Sequence, residues 1–456
     1  MNRIWILLLL LQGLLFNSVQ GQYTIRIQVD SMLTSKAYLY EFIGDKTGGM
    51  IDSVHTTHPG QIDFLLPADA HPGMYRMVMG PRTWLDFIFN KENIVLHTNF
   101  NAPVDNLKVI SSEENKLWNR YMNFFMMLNR KREYLSSLLS LYDPSESFYK
   151  EIEKELAGIR QTDPESVSKQ IIQNYPNSYV ARFLKVEKSP RVPVGLSIEE
   201  ERDYILENFF AGVDFSDSVL MYSPPLISRV KSYFGVYQQA FPPNELEEAM
   251  IGGLNRLLSQ AAVNDLVYSF LLQEIASMFE RSEYEAFFAY FTENFLLDAS
   301  CKDESRNREL AETLAAIKKT ELGITAPEII LPLSSGPLIL SEMKQPVVMV
   351  LFWASWCQHC TEMLPEIKHI YDQYKSKGFE ILSISLDKDS NEYQKALGLG
   401  QYSWINFSEL KGWDCSIAYD YGIRATPTMI LLDKERKVIG KPRNPEHLKQ
   451  MIRELF

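Results

Sequence analysis

Phe352-Trp353-Ala354-Ser355-Trp356-Cys357-Gln358-His359-Cys360 decides how the last third of this chain is read. The run before it, Pro346 to Phe352, holds Val347, Val348, Met349, Val350 and Leu351 in succession. Such a run reads as a strand buried on both faces of a largely parallel sheet. Behind it, Cys360, Met363, Leu364, Ile367, Ile370, Tyr371 and Tyr374 fall on one helical stripe. Two thiols therefore sit at a strand-to-helix turn, with Cys357 near the helix N-terminus. Unpaired N–H groups and the positive end of the dipole favour a thiolate there. A thiolate at an exposed strand end can attack a disulfide, and a second thiol nearby can release the mixed intermediate.

The rest of the chain sets the context. At 456 residues, about two to four domains are expected. A net charge of −12 argues against nucleic acid or an anionic membrane surface as partner. Arg3 precedes an apolar stretch, Ile4 to Leu11, then Leu14, Leu15 and Phe16. It is shorter than the roughly 20 residues a membrane span needs. With Val19-Gln20-Gly21 ahead of Gln22, residues 1–21 read as a secretory signal peptide. A short uncleaved anchor is the alternative. No cysteine lies near the cleavage site, so no lipid anchor is expected. Export places the protein in the periplasm or cell envelope, where disulfides persist. Four cysteines in so long a chain make no disulfide scaffold.

Residues 22–104 read as an antiparallel β sandwich. Tyr23 to Val29 and Ala37 to Phe42 alternate with period two, and Ile62 to Leu66, Tyr75 to Met79 and Leu85 to Phe89 look like further strands. Gly48-Gly49 and His58-Pro59-Gly60 look like turns. Residues 105–320 read as an all-helical region, with capping boxes at Ser111-x-x-Glu114, Ser197-x-x-Glu200 and Ser282-x-x-Glu285 and a cap at Asp163-Pro164. Pro224-Pro225 and Pro242-Pro243 separate helices. From about 321, a strand, helix, strand, helix, hairpin, helix order runs to Phe456. The whole is a multidomain α+β chain.

The C-terminal residues carry a resemblance. Phe-Trp-Ala-x-Trp-Cys-x-x-Cys, Pro365 in the following helix and Thr426-Pro427-Thr428 further on resemble an α/β thioredoxin fold, most closely the exported TlpA/ResA-like thiol–disulfide oxidoreductases. The resemblance covers roughly residues 322–456. It implies a redox-active disulfide in which Cys357 attacks and Cys360 resolves. It also implies that Pro427 takes a cis peptide beside them, where Thr426 and its neighbours pair with the substrate backbone. The implied partners are cysteine-containing exported proteins and an electron donor or acceptor.

Rival chemistry finds less support. A structural zinc site needs four ligands, and no second CxxC or suitably spaced histidine pair exists. His55, His58, His71 and His97 are scattered, so no metal is expected, nor any cofactor. A peroxidase on this fold would keep a threonine where Ala354 stands. His359 can lower the thiol from its free value of roughly 8.5. Each unit is worth about 1.36 kcal/mol, or about 30 mV. Histidine before the second cysteine resembles disulfide oxidases and isomerases, while the rest of the domain resembles the reducing branch, so the direction of electron flow stays open. The positions that carry an acid in relatives hold Leu351 and Met363; water, His359 or Glu362 could take the proton of Cys360. Trp353 and Trp356 pack around the site, and Trp356 is also a candidate substrate contact. Cys415 reads as a buried small hydrophobe and Cys301 as inert. A binding protein that uses the redoxin only as a docking module is the alternative from another class.

Overall fold

The alternation from Tyr23 to Val29 becomes strand β1 (Tyr23–Asp30), with Ile25, Ile27 and Val29 buried and Arg26 and Gln28 exposed. The structure is a computed structural model describing residues 23–32, 36–56, 60–161, 165–280, 282–297, 304–333 and 336–456. The expected signal peptide, the His58-Pro59 part of a turn, the Asp163-Pro164 cap and Cys301 lie outside the described residues.

Seven further strands follow: β2 (Lys36–Ile43), β3 (Lys46–His55), β4 (Gln61–Leu66), β5 (Gly73–Gly80), β6 (Thr83–Phe89), β7 (Ile94–Asn99) and β8 (Lys108–Ser111). They form two open sheets, ordered β4-β1-β7-β8 and β3-β2-β5-β6. Ile25, Ile27, Phe64 and Leu96 of one sheet share a core with Leu39, Met77, Phe87 and Phe89 of the other, which makes the sandwich. Its pairings are antiparallel except β1 with β7, which is parallel. The turn expected at Gly48-Gly49 lies inside β3. The chain reverses at Gly44 instead, where φ is +59°, and two register shifts in the β2–β3 pair carry the strand past the glycines.

The middle is helical. Its helices are α1 (Glu113–Leu139), α2 (Ser147–Gln161), α3 (Glu165–Asn174), α4 (Tyr179–Glu187) and α5 (Ile198–Glu207). Then come α6 (Pro225–Ala240), α7 (Leu246–Ala261), α8 (Asp265–Phe279), α9 (Glu285–Phe291) and α10 (Glu304–Lys318). Helix α1 begins one residue later than the sequence suggests: Ser112 is its cap and accepts from Asn115 N. Ser197 and Glu200 form the expected reciprocal box. Ser282 does not cap α9; its hydroxyl donates to Phe279 O, and Tyr284 takes the cap position. By packing, the described residues fall into two units, one within Met1–Tyr233 with Ala261–Val267 and one within Phe234–Gln260 with Tyr268–Phe456, so the helical middle contributes to both.

The second unit ends in an α/β domain. A short hairpin, β9 (Ile330–Leu333) and β10 (Gly336–Ile339), leads into β11 (Val347–Trp353), α11 (Gln358–Tyr374), β12 (Phe379–Ser385), α12 (Ser390–Gly400) and β13 (Ile405–Ser408). Then follow α13 (Ser416–Asp420), β14 (Thr428–Leu432), β15 (Val438–Gly440) and α14 (Pro445–Leu455). The sheet order is β13-β12-β11-β14-β15, with β11, β12 and β13 parallel and the last two strands antiparallel. All seven residues of β11 are buried, as a central strand covered on both faces requires. Met363, Leu364, Ile367 and Ile370 of α11 join the same core.

Candidate active site

Strand β11 ends at Trp353 and α11 starts at Gln358, which leaves Ala354 to Cys357 to make the turn. Cys357 is the N-cap of α11: its sulfur accepts from Cys360 N at 3.2 Å, and its own amide donates to Ala354 O. Cys357 and Cys360 form a disulfide with Cα atoms 5.3 Å apart. Cys357 keeps 9% of its surface and Cys360 none, so the first sulfur is the one that faces the mouth. The amide donors of the first helical turn would stabilise a thiolate there once the bond is reduced.

The Thr426–Pro427 peptide is cis, and Cys357 Sγ lies 3.4 Å from Thr426 O. Thr426 and Pro427 are both partly open to solvent beside the disulfide. His359 is exposed at the start of α11. Trp356 is 56% exposed and faces Trp413, with ring centroids 6.3 Å apart. Trp353 is instead core, packed on Tyr393 and Tyr402. Leu351 and Met363 are buried apolar residues, and Glu362 is exposed and accepts from Gln358 Nε2 at 2.9 Å.

Sequence reasoning missed Asp387. It follows β12, and its carboxylate is buried under the turn, accepting from Ser355 N at 3.1 Å and from the hydroxyls of Ser355 and Ser385 at 2.6 Å each. The signal that could have found it is topological, since the carboxyl ends of adjacent parallel strands converge on one site. Asp387, Ser355, Trp356, Gly412 and Trp413 line a cavity of about 470 Å³ on that side of the disulfide. Trp413 was missed as well.

On the segment leading to Pro427, Arg424 donates from Nη2 to Phe279 O at 3.0 Å and from Nε to Glu280 O. Desolvation by its surroundings raises the Glu283 carboxyl above its ordinary value, against the pull of Arg443 and His359, although the residue as a whole is open to solvent. Cys415 is fully buried, and burial pushes its thiol up. Among the described residues no group of histidine, cysteine and acidic side chains is placed to hold a metal ion. The arrangement can pass two electrons through a pair of sulfurs, one of them reachable from outside.

The C-terminal part of the chain is similar to known proteins. A family model described as thioredoxin-like matches residues 345–438. A thiol-disulfide oxidoreductase ResA from Bacillus thuringiensis subsp. konkukian is 32% identical over 135 residues, covering 29% of this chain and 76% of the relative. The protein of that name from Bacillus subtilis is 28% identical over 121 residues, 26% of this chain and 64% of its own. Among solved structures, a thioredoxin-like protein from Bacteroides caccae covers 59% of this chain and 98% of its own, with 19% identity and a TM-score of 0.45. A thiol-disulfide oxidoreductase from Bacteroides fragilis covers 29% and 99%, with 32% identity and a TM-score of 0.27.

Proposed function

Because the chain belongs to the thioredoxin-like thiol–disulfide oxidoreductases represented by ResA, we propose that it exchanges the Cys357–Cys360 couple with cysteines of other exported proteins, acting as a reductase. In the reduced protein the Cys357 thiolate attacks one sulfur of a substrate disulfide. The other substrate sulfur leaves as a thiolate, and a mixed disulfide holds the two proteins together. Cys360 then attacks Cys357 Sγ and expels the substrate. Two electrons and two protons have moved to the substrate, and the enzyme is left as the Cys357–Cys360 disulfide. A dithiol donor resets it by the reverse exchange. Thr426 and Pro427 border the groove where the substrate backbone lies, and Trp356 contacts the segment beside its cysteine.

The observation that carries this reading is the disulfide itself at the N-terminus of α11, with Cys357 Sγ beside Thr426 O and Pro427. A site in the periplasm or cell envelope rests on the basic and apolar pattern of residues 1–21. No helix among the described residues is long and apolar enough to cross a membrane. The exposed His359, directly before Cys360, favours a second reading, oxidation or isomerisation, because any neighbour that stabilises the thiolate raises the potential of the pair.

Cys360→Ser removes the resolving thiol and should leave partners attached to Cys357. Adducts formed with envelope proteins, released by dithiothreitol and absent from Cys357→Ser, are the expected result; no adduct at all would defeat thiol exchange. Titrating the couple in glutathione buffers then separates the directions, since a potential well below that of glutathione excludes the oxidase.

A further inference from the structure

Helices α9 and α10 and most of α7 and α8 belong to the same packed unit as the redox domain, and three cations of that domain reach this part of them. Lys441 pairs with Glu285 of α9, and Arg443 pairs with Glu247 of α7 while its guanidinium lies 5.5 Å from the Tyr284 ring. The third is Arg424. Its two hydrogen bonds end on the carbonyls of Phe279 and Glu280, at the C-terminus of α8, and its guanidinium carbon stands 3.9 Å from the centre of the Phe288 ring. A helix C-terminus carries partial negative charge and has unpaired carbonyls, so a cation there is favoured. Helix α8 has no basic residue in its own last turn, and Arg424 supplies one from the other side. Burial draws Arg424 down to about 10, partly offset by Glu285 and Glu280, which leaves it charged at neutral pH.

Lys441 and Arg443 sit between β15 and α14, away from the disulfide in sequence. Arg424 sits on the strand of chain that runs directly into Ala425, Thr426 and Pro427, and Thr426 O touches the Cys357 sulfur. Two residues back, Gly422 has φ +66° and approaches α10 so closely that a Cβ would stand 2.8 Å from the Ala316 carbonyl carbon. The segment before the cis peptide is thus gripped by the helical part at both Gly422 and Arg424.

We propose that Arg424 is a positioning residue: by holding the end of α8 it keeps Ala425–Pro427, along which a polypeptide substrate pairs, aligned with Cys357. This rests on the exchange reading above and assigns part of the helical middle a role in it. A polypeptide disulfide must pair its backbone along Thr426–Pro427, whereas a small aromatic disulfide needs only the sulfur of Cys357. Loosening the segment therefore acts selectively on the polypeptide.

The test uses the full chain, reduced and freed of reductant, with insulin and with 5,5′-dithiobis(2-nitrobenzoate) as the two disulfides. In Arg424→Met, which removes both hydrogen bonds, the ratio of the insulin rate constant to the small-disulfide rate constant should fall at least about tenfold, the loss that one charge-assisted hydrogen bond alone would give. A ratio that stays within about threefold of the wild type overturns the proposal, because a purely structural contact scales both rates by the folded fraction. Should the methionine variant fail to fold, Arg424→Lys is read by the same ratio and overturned by the same result. Lysine keeps the charge at the helix end but loses the second hydrogen bond and the planar stacking. Wild-type protein that leaves both disulfides intact would instead refute thiol exchange itself.

Discussion

Replacing Asp387 tests whether a buried carboxylate holds the turn that presents Cys357. Its oxygens accept from Ser355 N, Ser355 Oγ and Ser385 Oγ, and the residue is 1% exposed. In Asp387→Ala those three donors face a void. An unsatisfied buried donor costs about 1–3 kcal/mol, but the two hydroxyls can rotate toward other acceptors, so the fixed amide of Ser355 dominates. The sum is about 2–3 kcal/mol, with about 1 kcal/mol for Asp387→Asn, which keeps one oxygen for Ser355. Two packed units make a single global unfolding free energy a poor readout. Amide exchange is local, and the amide of Leu386, bonded to Trp353 O at 2.8 Å, reports on this corner together with β11. The expected loss of protection in Asp387→Ala is about 30- to 150-fold, with roughly fivefold in Asp387→Asn. Protection kept within about threefold in the alanine variant would show that the carboxylate is not what fixes the turn.

Two other perturbations concern the approach to Pro427. Burial of Glu409 opposes its ionisation, yet Lys411 and both the hydroxyl and amide of Ser416 outweigh it and hold the carboxyl at about 2. A folded value below the unfolded one means the stabilisation, at most about 3 kcal/mol, is complete above about pH 4.5 and is lost as the pH falls toward 2. The protection of Tyr419 N in wild type relative to Glu409→Gln should therefore shrink between pH 5 and 2.5, and a constant gap would sink the assignment. Cys415, buried with its thiol pushed up, should resist iodoacetamide in the reduced native protein while Cys357 reacts. Cys415→Ala should cost about 1 kcal/mol and leave insulin reduction unchanged; labelling of Cys415 ahead of Cys357 would contradict its place in the core.

What was legible in the sequence was local. The run from Val347 to Phe352 and the stripe from Met363 to Ile370 announce a buried strand and an amphipathic helix, and the two cysteines fall between them without reference to any distant residue. The same holds for the box at Ser197 and the alternation in β1. Errors arose where a local signal was outvoted. Gly48-Gly49 has the composition of a turn, but the pairing of β2 with β3 runs straight through it, and Ser282 gives its hydroxyl to Phe279 O rather than to α9. Short or edge strands such as β13, with every residue half-buried, carry too little pattern to be read. Spacing along β11 and α11 leads to Leu351 and Met363 in the core and Glu362 on the surface, none of them an acid beneath the thiols. The carboxylate under the turn comes instead from the end of β12, because the parallel register that sets Trp353 beside Ser385 brings Asp387 beneath Ser355. Arg424 and Trp413 arrive in the same way, through pairings that only the closed sheet and the neighbouring helices create. A sulfur's own reactivity is thus written in its immediate neighbours along the chain. The groups that hold it in place come from strand ends and helix ends far away in sequence.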